Sequence, residues 1–301
     1  MQKIIVVGSS NVDLTARVRT LPRPGETIGG ARLHQANGGK GANQAVAAAR
    51  LGADVTFLTC LGNDANGEML SAQFAAEGID TSKIKFSASP TGTALIFVDD
   101  NAENCIAVAP GSNNDLLPAD VEGIRDSISG AAYMLLQLEI PMPTVEKAIL
   151  LADEAGVRTI LNPAPMAPLS DGILKHVWLL TPNQTEAHSL TGIAVNDEED
   201  ARKAADALLA KGVGNVIITM GSKGSLVCTP GETTFVPARK VKAIDTTGAG
   251  DAFFAGVAIG LTYGKTLEQS CRIGTRLAAS VIATKENVCP RFLPEEFGLE
   301  R

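Results

Sequence analysis

Short apolar runs without polar alternation punctuate the chain: Ile4 to Val7, Val55 to Leu61, Tyr133 to Leu136, Thr159 to Leu161, Val177 to Leu180 and Val216 to Thr219. A strand with no polar positions is covered on both faces, so these runs predict buried strands. Between them, Ala42 to Leu51, Gly67 to Glu77, Thr144 to Glu154 and Glu199 to Lys211 carry apolar residues at helical spacing. Strand alternating with helix predicts an α/β fold with a mostly parallel central sheet and helices on both faces. A single domain over 1–301 is expected, because no internal repeat, low-complexity tract or linker divides the chain.

Two stretches break the rhythm. Residues 11–36 carry the loop Pro22-Arg23-Pro24-Gly25 between short extended pieces, and residues 89–109 give two alternating strands around a turn at Asp99-Asp100-Asn101. Neither has the material for a core of its own. They are expected to form a small β-sheet lid that packs on another subunit, making a homodimer.

Composition narrows the function classes. The chain is 45% hydrophobic and 20% charged, with 26 Lys and Arg against 33 Asp and Glu, a net charge of −7. An acidic surface argues against nucleic-acid or anionic-membrane coating. No apolar run approaches the ~20 residues of a membrane span. The five cysteines, Cys60, Cys105, Cys228, Cys271 and Cys289, form no CxxC pair and leave an odd one over, which suggests reduced core thiols and a cytoplasmic location. His34, His176 and His188 show no metal-ligand spacing.

Chemistry concentrates where glycines precede helices. Gly38-Gly39-Lys40-Gly41-Ala42-Asn43-Gln44 runs into an Ala-rich helix, where close backbone approach, an ammonium and free amides suit a polar ligand; it reads equally as a tight strand-to-helix turn. It is not a P-loop, since Gly41 follows Lys40 where Ser or Thr is required. Asp245-Thr246-Thr247-Gly248-Ala249-Gly250-Asp251 precedes the apolar helical run Ala252 to Val257. Asp251 could serve there as an N-cap. Alternatively, the Gly248 to Gly250 amides bind a phosphate gaining charge while Asp251 accepts a hydroxyl proton.

These two segments, GGKGANQ at 38–44 and DTTGAGD at 245–251, resemble the paired signatures of the ribokinase-like family, also called the phosphofructokinase-B type of sugar kinase. Supporting segments fall in the family's order, among them Gly8-Ser9-Ser10-Asn11-Val12-Asp13, Leu136-Gln137-Leu138-Glu139, Asn162-Pro163-Ala164-Pro165, Thr181 to Glu186 and Thr219 to Gly224. The resemblance covers essentially the whole chain and implies a ribokinase-like, Rossmann-like three-layer sandwich. It implies that Asn11, Asp13, Gly39, Lys40, Gly41, Asn43 and Glu139 hold sugar hydroxyls, with Asp251 as base toward the primary hydroxyl. Asn183 and Glu186 match an NxxE motif that organises Mg²⁺, its waters and the nucleotide phosphates; Glu186 alone would read as a helix-surface acid. Thr219, Gly221, Ser222, Lys223 and Gly224 would lie along the nucleotide, and Gly248, Ala249 and Gly250 at the transferring phosphate. The implied reaction passes the γ-phosphoryl of ATP to O5 of D-ribose. Same-fold kinases of deoxyribose, another pentose, a ketohexose or a nucleoside remain alternatives, as does a non-catalytic sugar-binding protein.

The family also binds a monovalent cation, usually K⁺, beside the anion loop. Here Asp245, Thr247 and backbone from a C-terminal segment including Ile282, Lys285, Asn287 and Arg291 would correspond. That segment departs from the family pattern: Asn287-Val288 replaces Gly-Ala, and Arg291 falls where a small Ser is usual. Either the Arg291 guanidinium reaches the cation site and reduces K⁺ dependence, or it points to solvent and backbone carbonyls still bind K⁺.

Overall fold

The structure is a computed structural model that describes residues 2–101, 103–284 and 288–299. Its strands, in chain order, are β1 Lys3–Val7, β2 Asn11–Arg17, β3 Arg32–Gly38, β4 Asp54–Leu58, β5 Cys60–Gly62, β6 Lys85–Ser87 and β7 Gly92–Val98. They continue with β8 Asn104–Ala109, β9 Tyr133–Leu136, β10 Arg158–Leu161, β11 Leu179–Leu180, β12 Asn215–Thr219, β13 Gly224–Thr229 and β14 Glu232–Pro237. An eight-stranded sheet has the order β14-β13-β12-β11-β10-β9-β1-β4. It is parallel from β4 to β12, and β13 and β14 extend it antiparallel.

The unbroken apolar character of the strands has the expected cause. Along β1, Ile4 and Val6 join one core while Ile5 and Val7 join the other. Helices Lys40–Arg50, Ala65–Ala76, Ala249–Thr262 and Leu267–Ile282 close the first core. Helices Met142–Glu154, Gln184–Thr191 and Glu198–Ala210 contribute to the second. The three-layer α/β arrangement therefore follows from burying both faces of each strand. Helix Ala249–Thr262 is buried along nearly its whole length. A Cβ on its Gly256 would lie 2.7 Å from Cα of Gly274, so small residues let it cross helix Leu267–Ile282 backbone to backbone.

Some boundaries differ from the sequence pattern. The run from Val55 to Leu61 is split at Thr59: β4 stays in the main sheet, while β5 pairs with β6. One apolar run served two sheets, which its composition does not reveal. Of Val177 to Leu180 only Leu179–Leu180 is strand, because the Val177 amide closes a turn on the Leu174 carbonyl. Four cysteines are buried as expected, but Cys105 is exposed on β8, and all five are free. Among the described residues no helix is long and apolar enough to cross a membrane.

The two irregular stretches do form one small sheet, of order β3-β2-β7-β8, with β2 and β7 parallel at its centre. The strands reach Gly38 on one side and begin at Gly92 on the other, and a long loop over 18–31 joins β2 to β3. Leu33, Leu95, Ile106 and Val108 are exposed on this sheet.

Candidate functional site

The candidate residues meet at the carboxyl ends of the parallel strands. From β1 the chain passes through the lid to helix Lys40–Arg50 and then β4 on one side, while β9 lies on the other. Such a reversal of strand order opens a crevice where ligands bind in open α/β sheets. Asn11 and Asp13 stand on β2, Lys40 and Asn43 open the helix, and Glu139 follows β9.

Close backbone contacts hold this corner. A Cβ on Gly41 would meet the Ser9 amide nitrogen at 2.6 Å, and one on Gly38 would meet Asp13 Oδ1 at 2.0 Å. Gly39 caps the helix at φ 88°, a left-handed conformation that glycine adopts without a Cβ penalty. Glu139 is fixed by donors from both sides, Ser9 Oγ at 2.6 Å and the Lys40 amide at 2.9 Å. Asn11 Oδ1 accepts from Asn113 Nδ2 at 2.8 Å. Asp13 is buried, and that burial, aided by the charges of Glu139 and Asp251, lifts its carboxyl from 3.8 to about 6. Directional acceptors and donors so arranged fit a polyol.

Asp251 is not an N-cap. Gly248 caps helix Ala249–Thr262 in a left-handed conformation, and the Asp251 carboxylate points instead to helix Lys40–Arg50. Asn43 Nδ2 donates to Oδ2 at 3.1 Å and Gln44 Nε2 donates to Oδ1 at 3.0 Å. Burial raises its carboxyl above the ordinary carboxylate range, while the Lys40 charge and the two amides pull it down. A buried carboxylate at a helix start, beside amides that a first turn leaves without intrahelical acceptors, suits proton removal next to a developing negative charge.

On the far side, Asn183 and Glu186 close a reciprocal capping box on helix Gln184–Thr191. Glu186 Oε2 accepts from the Asn183 amide at 2.8 Å and Oε1 from Asn183 Nδ2 at 2.9 Å. The residue is buried rather than a surface acid, and burial raises its carboxyl while Lys40 opposes that rise. Lys40 thus acts electrostatically on both Asp251 and Glu186. A bridge joins Asn183 to Thr219, where the turn Gly221–Lys223 starts. Gly221 and Ser222 are exposed, Gly224 is buried at the start of β13, and Lys223 Nζ is bound to the Asn196 carbonyl at 2.6 Å. Ala249 and Gly250 form the first turn of the Asp251 helix.

Part of the cation segment lies among the described residues. Asp245 Oδ1 accepts from the Thr247 amide at 2.9 Å, and the Ile282 carbonyl accepts from the Ile244 amide at 2.8 Å. Lys285 and Asn287 lie outside the described residues. The Arg291 guanidinium donates to Glu77 Oε2 at 2.7 Å and to the Ala76 carbonyl at 3.2 Å, and its side chain stays 61% exposed. Glu77 is held from the other side by Arg50, which also donates to the Cys289 carbonyl.

Gln44, Ser9 and Asn113 were not anticipated. Gln44 had a signal, since Lys40, Asn43 and Gln44 at i, i+3 and i+4 share one helix face. Asn113, in a remote short turn, had none.

Comparison with known proteins places the chain in a family. The model of the pfkB family of carbohydrate kinases matches residues 1–290. Ribokinase from Haemophilus influenzae is 43% identical over 284 residues, covering 94% of this chain and 92% of that protein. A crystal structure of ribokinase from Thermotoga maritima matches with a TM-score of 0.90 at 33% identity, over 100% of both chains. The structure of Arabidopsis thaliana ribokinase complexed with ribose and ATP matches with a TM-score of 0.90 at 30% identity, over 100% of this chain and 99% of that one.

Proposed function

The chain belongs to the pfkB family of carbohydrate kinases, and we propose that it is an ATP-dependent kinase that phosphorylates O5 of D-ribose. The observation that carries this reading is the buried Asp251 carboxylate, held by Asn43 and Gln44 at the start of a helix and facing the Lys40 charge. In the reaction, Asp251 takes the proton of the O5 hydroxyl as O5 bonds to the γ-phosphorus. The bond from that phosphorus to the bridging oxygen breaks, and ADP leaves. The amides of Gly248, Ala249 and Gly250 receive the charge that develops on the phosphoryl oxygens. Asn11, Asp13, Gly39, Lys40, Gly41, Asn43 and Glu139 orient the sugar, which converts encounter into an effectively intramolecular step. Thr219, Gly221, Ser222, Lys223 and Gly224 flank the nucleotide.

Among the described residues no three His, Cys, Asp or Glu converge into a metal cage, and one buried carboxylate, Glu186, stands with Asn183. That donor set fits Mg²⁺, which keeps several waters and is carried largely by substrate phosphates. Glu186 and Asn183 would hold it through those waters, and the ion would neutralise phosphate charge. With Arg291 engaged by Glu77, Asp245 is left to a small cation. Activity in K⁺ is therefore expected to exceed activity in a bulky organic cation several-fold; equal rates would remove the cation from the reading.

Coupled ADP release over a panel of pentoses, deoxyribose, ketohexoses and nucleosides tests the function. Turnover fastest with ribose is expected. Faster turnover with deoxyribose or a nucleoside changes the substrate, and no turnover with any member defeats the kinase assignment. Within the pocket, Gly38→Ala places a methyl against Asp13, so the sugar KM should rise about tenfold or more, as expected when a polar partner is displaced, with the ATP KM unchanged. A normal sugar KM would detach Asp13 from sugar binding.

The exposed apolar residues of the lid fit a homodimer built through that sheet. Solution scattering should give twice the chain mass of 31.2 kDa, and a monomer at high concentration would contradict it. One kinase domain spanning 1–301, located in the cytoplasm with its thiols reduced, completes the proposal.

A further inference from the structure

The two amides on Asp251 are not equivalent. Asn43, on Oδ2, belongs to the proposed sugar-binding set, and it is free to exchange its partner for a hydroxyl. Gln44, on Oδ1, is completely buried, and its own Oε1 accepts from Nε2 of Gln137, which is buried as well. Because Gln137 donates into Gln44 Oε1, the Gln44 Nε2 must face Asp251; turning the amide over would set donor against donor. The polarity of the pair is therefore locked from Gln137 through Gln44 to the carboxylate.

The remaining atom of this pair argues against mere packing. Gln137 Oε1 is buried without a hydrogen-bond partner, and it lies where a Cβ on Gly8 would be, 2.1 Å away. Two aliphatic side chains would fill the same volume with no orphaned acceptor. A buried glutamine pair that keeps an unsatisfied oxygen is explained by the one oriented donor it delivers.

We propose that Gln44, oriented by Gln137, is a positioning residue that fixes Oδ1 of Asp251 and so presents Oδ2 to the sugar hydroxyl. The proposal rests on the kinase reading above. When the sugar enters, Asn43 releases Oδ2 to it, and the hydroxyl proton moves to Oδ2 as the O–P bond forms and ADP departs. Gln44 stays on Oδ1 throughout. The charged groups that act on Asp251 are Lys40, Glu139 and Asp13, and Gln44 adds a neutral donor that none of them replaces.

The test uses Gln44→Met and Gln137→Met, both unbranched and close in volume, in the full-length protein. Gln44→Met should lower kcat about 10- to 100-fold, the scale of a misplaced reacting group, while the ribose KM stays within threefold. Its acid limb should move to higher pH, because the ionised carboxylate has lost a donor. Gln137→Met touches neither Asp251 nor sugar and should give a smaller loss of kcat with the same direction of shift. The double variant should match Gln44→Met within about twofold, since the second residue acts only through the first. Carboxyl titration of Asp251 by NMR, which needs no turnover, should move upward in both variants. An unmoved acid limb and titration, an effect confined to KM, or multiplicative losses would each overturn the proposal. Should Gln44→Met not fold, Gln137→Met alone decides by the same readouts. An inactive wild-type protein defeats the kinase reading, whereas an active one with indifferent variants defeats only the positioning role.

Discussion

Asp251→Asn is expected to lower kcat about a thousandfold, within the 10²–10⁴ range of general-base catalysis, while ribose still binds with near-normal affinity. The amide keeps the size and burial of the carboxylate but cannot take a proton. Orienting groups on β2, helix Lys40–Arg50 and the turn after β9 are separate elements and remain in place. Coupled ADP release gives kcat, and calorimetry with ribose alone gives affinity. A variant that retains more than a tenth of the rate would mean that the hydroxyl needs no base at this position. A lost ribose affinity with normal kcat at saturation would make Asp251 a binding residue only.

Asp13→Asn is expected to trade activity for stability, with a pH signature that identifies the cause. Its carboxyl is lifted from 3.8 to about 6, so the folded protein binds a proton there more tightly than the unfolded chain. Between those two values the folded state holds the extra proton, and stability falls as pH rises through the window. Above pH 6 the ionised, buried carboxylate costs up to about 3 kcal/mol, which the Asn variant recovers. The variant should therefore be more stable than wild type at pH 7.5, and the gain should shrink to nothing by about pH 3, below the unfolded value of 3.8. Denaturant melts at several pH values measure it. Equal stability at pH 7.5, or a gain that persists undiminished at about pH 3, would show that the carboxylate is not under this strain. The sugar KM should rise at least tenfold, because an acceptor for a hydroxyl becomes an amide with two donors. A residue that destabilises the fold yet holds substrate is the usual sign of a site selected for function.

Much of this was legible in the order of residues. Strand runs without polar positions foretold a sheet covered on both faces, and β1 displays the reason, its alternate residues feeding two cores. The motif at 245–251 placed Asp251 at a helix start. It could not separate a cap from a base, since both need a carboxylate there; the cap is excluded by partners some two hundred positions away, at Asn43 and Gln44. Glu186 shows the same limit. Alone it reads as a helix-surface acid, and only its burial in a capping box with Asn183 excluded that reading. For Arg291 the sequence offered the cation site or solvent, and no local pattern pointed to its partner, Glu77, at the end of a distant helix.

What the sequence determined by itself was what depends on near neighbours: the alternation of strand and helix, the glycine turns that open two helices, and the residue types of a sugar and phosphate site. The tertiary structure decided which side chain meets which. The division of Val55 to Leu61 between two sheets, the Arg50 and Arg291 grip on Glu77 and the chain from Gln137 through Gln44 to Asp251 all depend on it. The physical reason is range. Backbone preferences and hydrophobic periodicity act within a turn or two of the chain, whereas hydrogen bonds and burial act through space between segments that packing alone brings together.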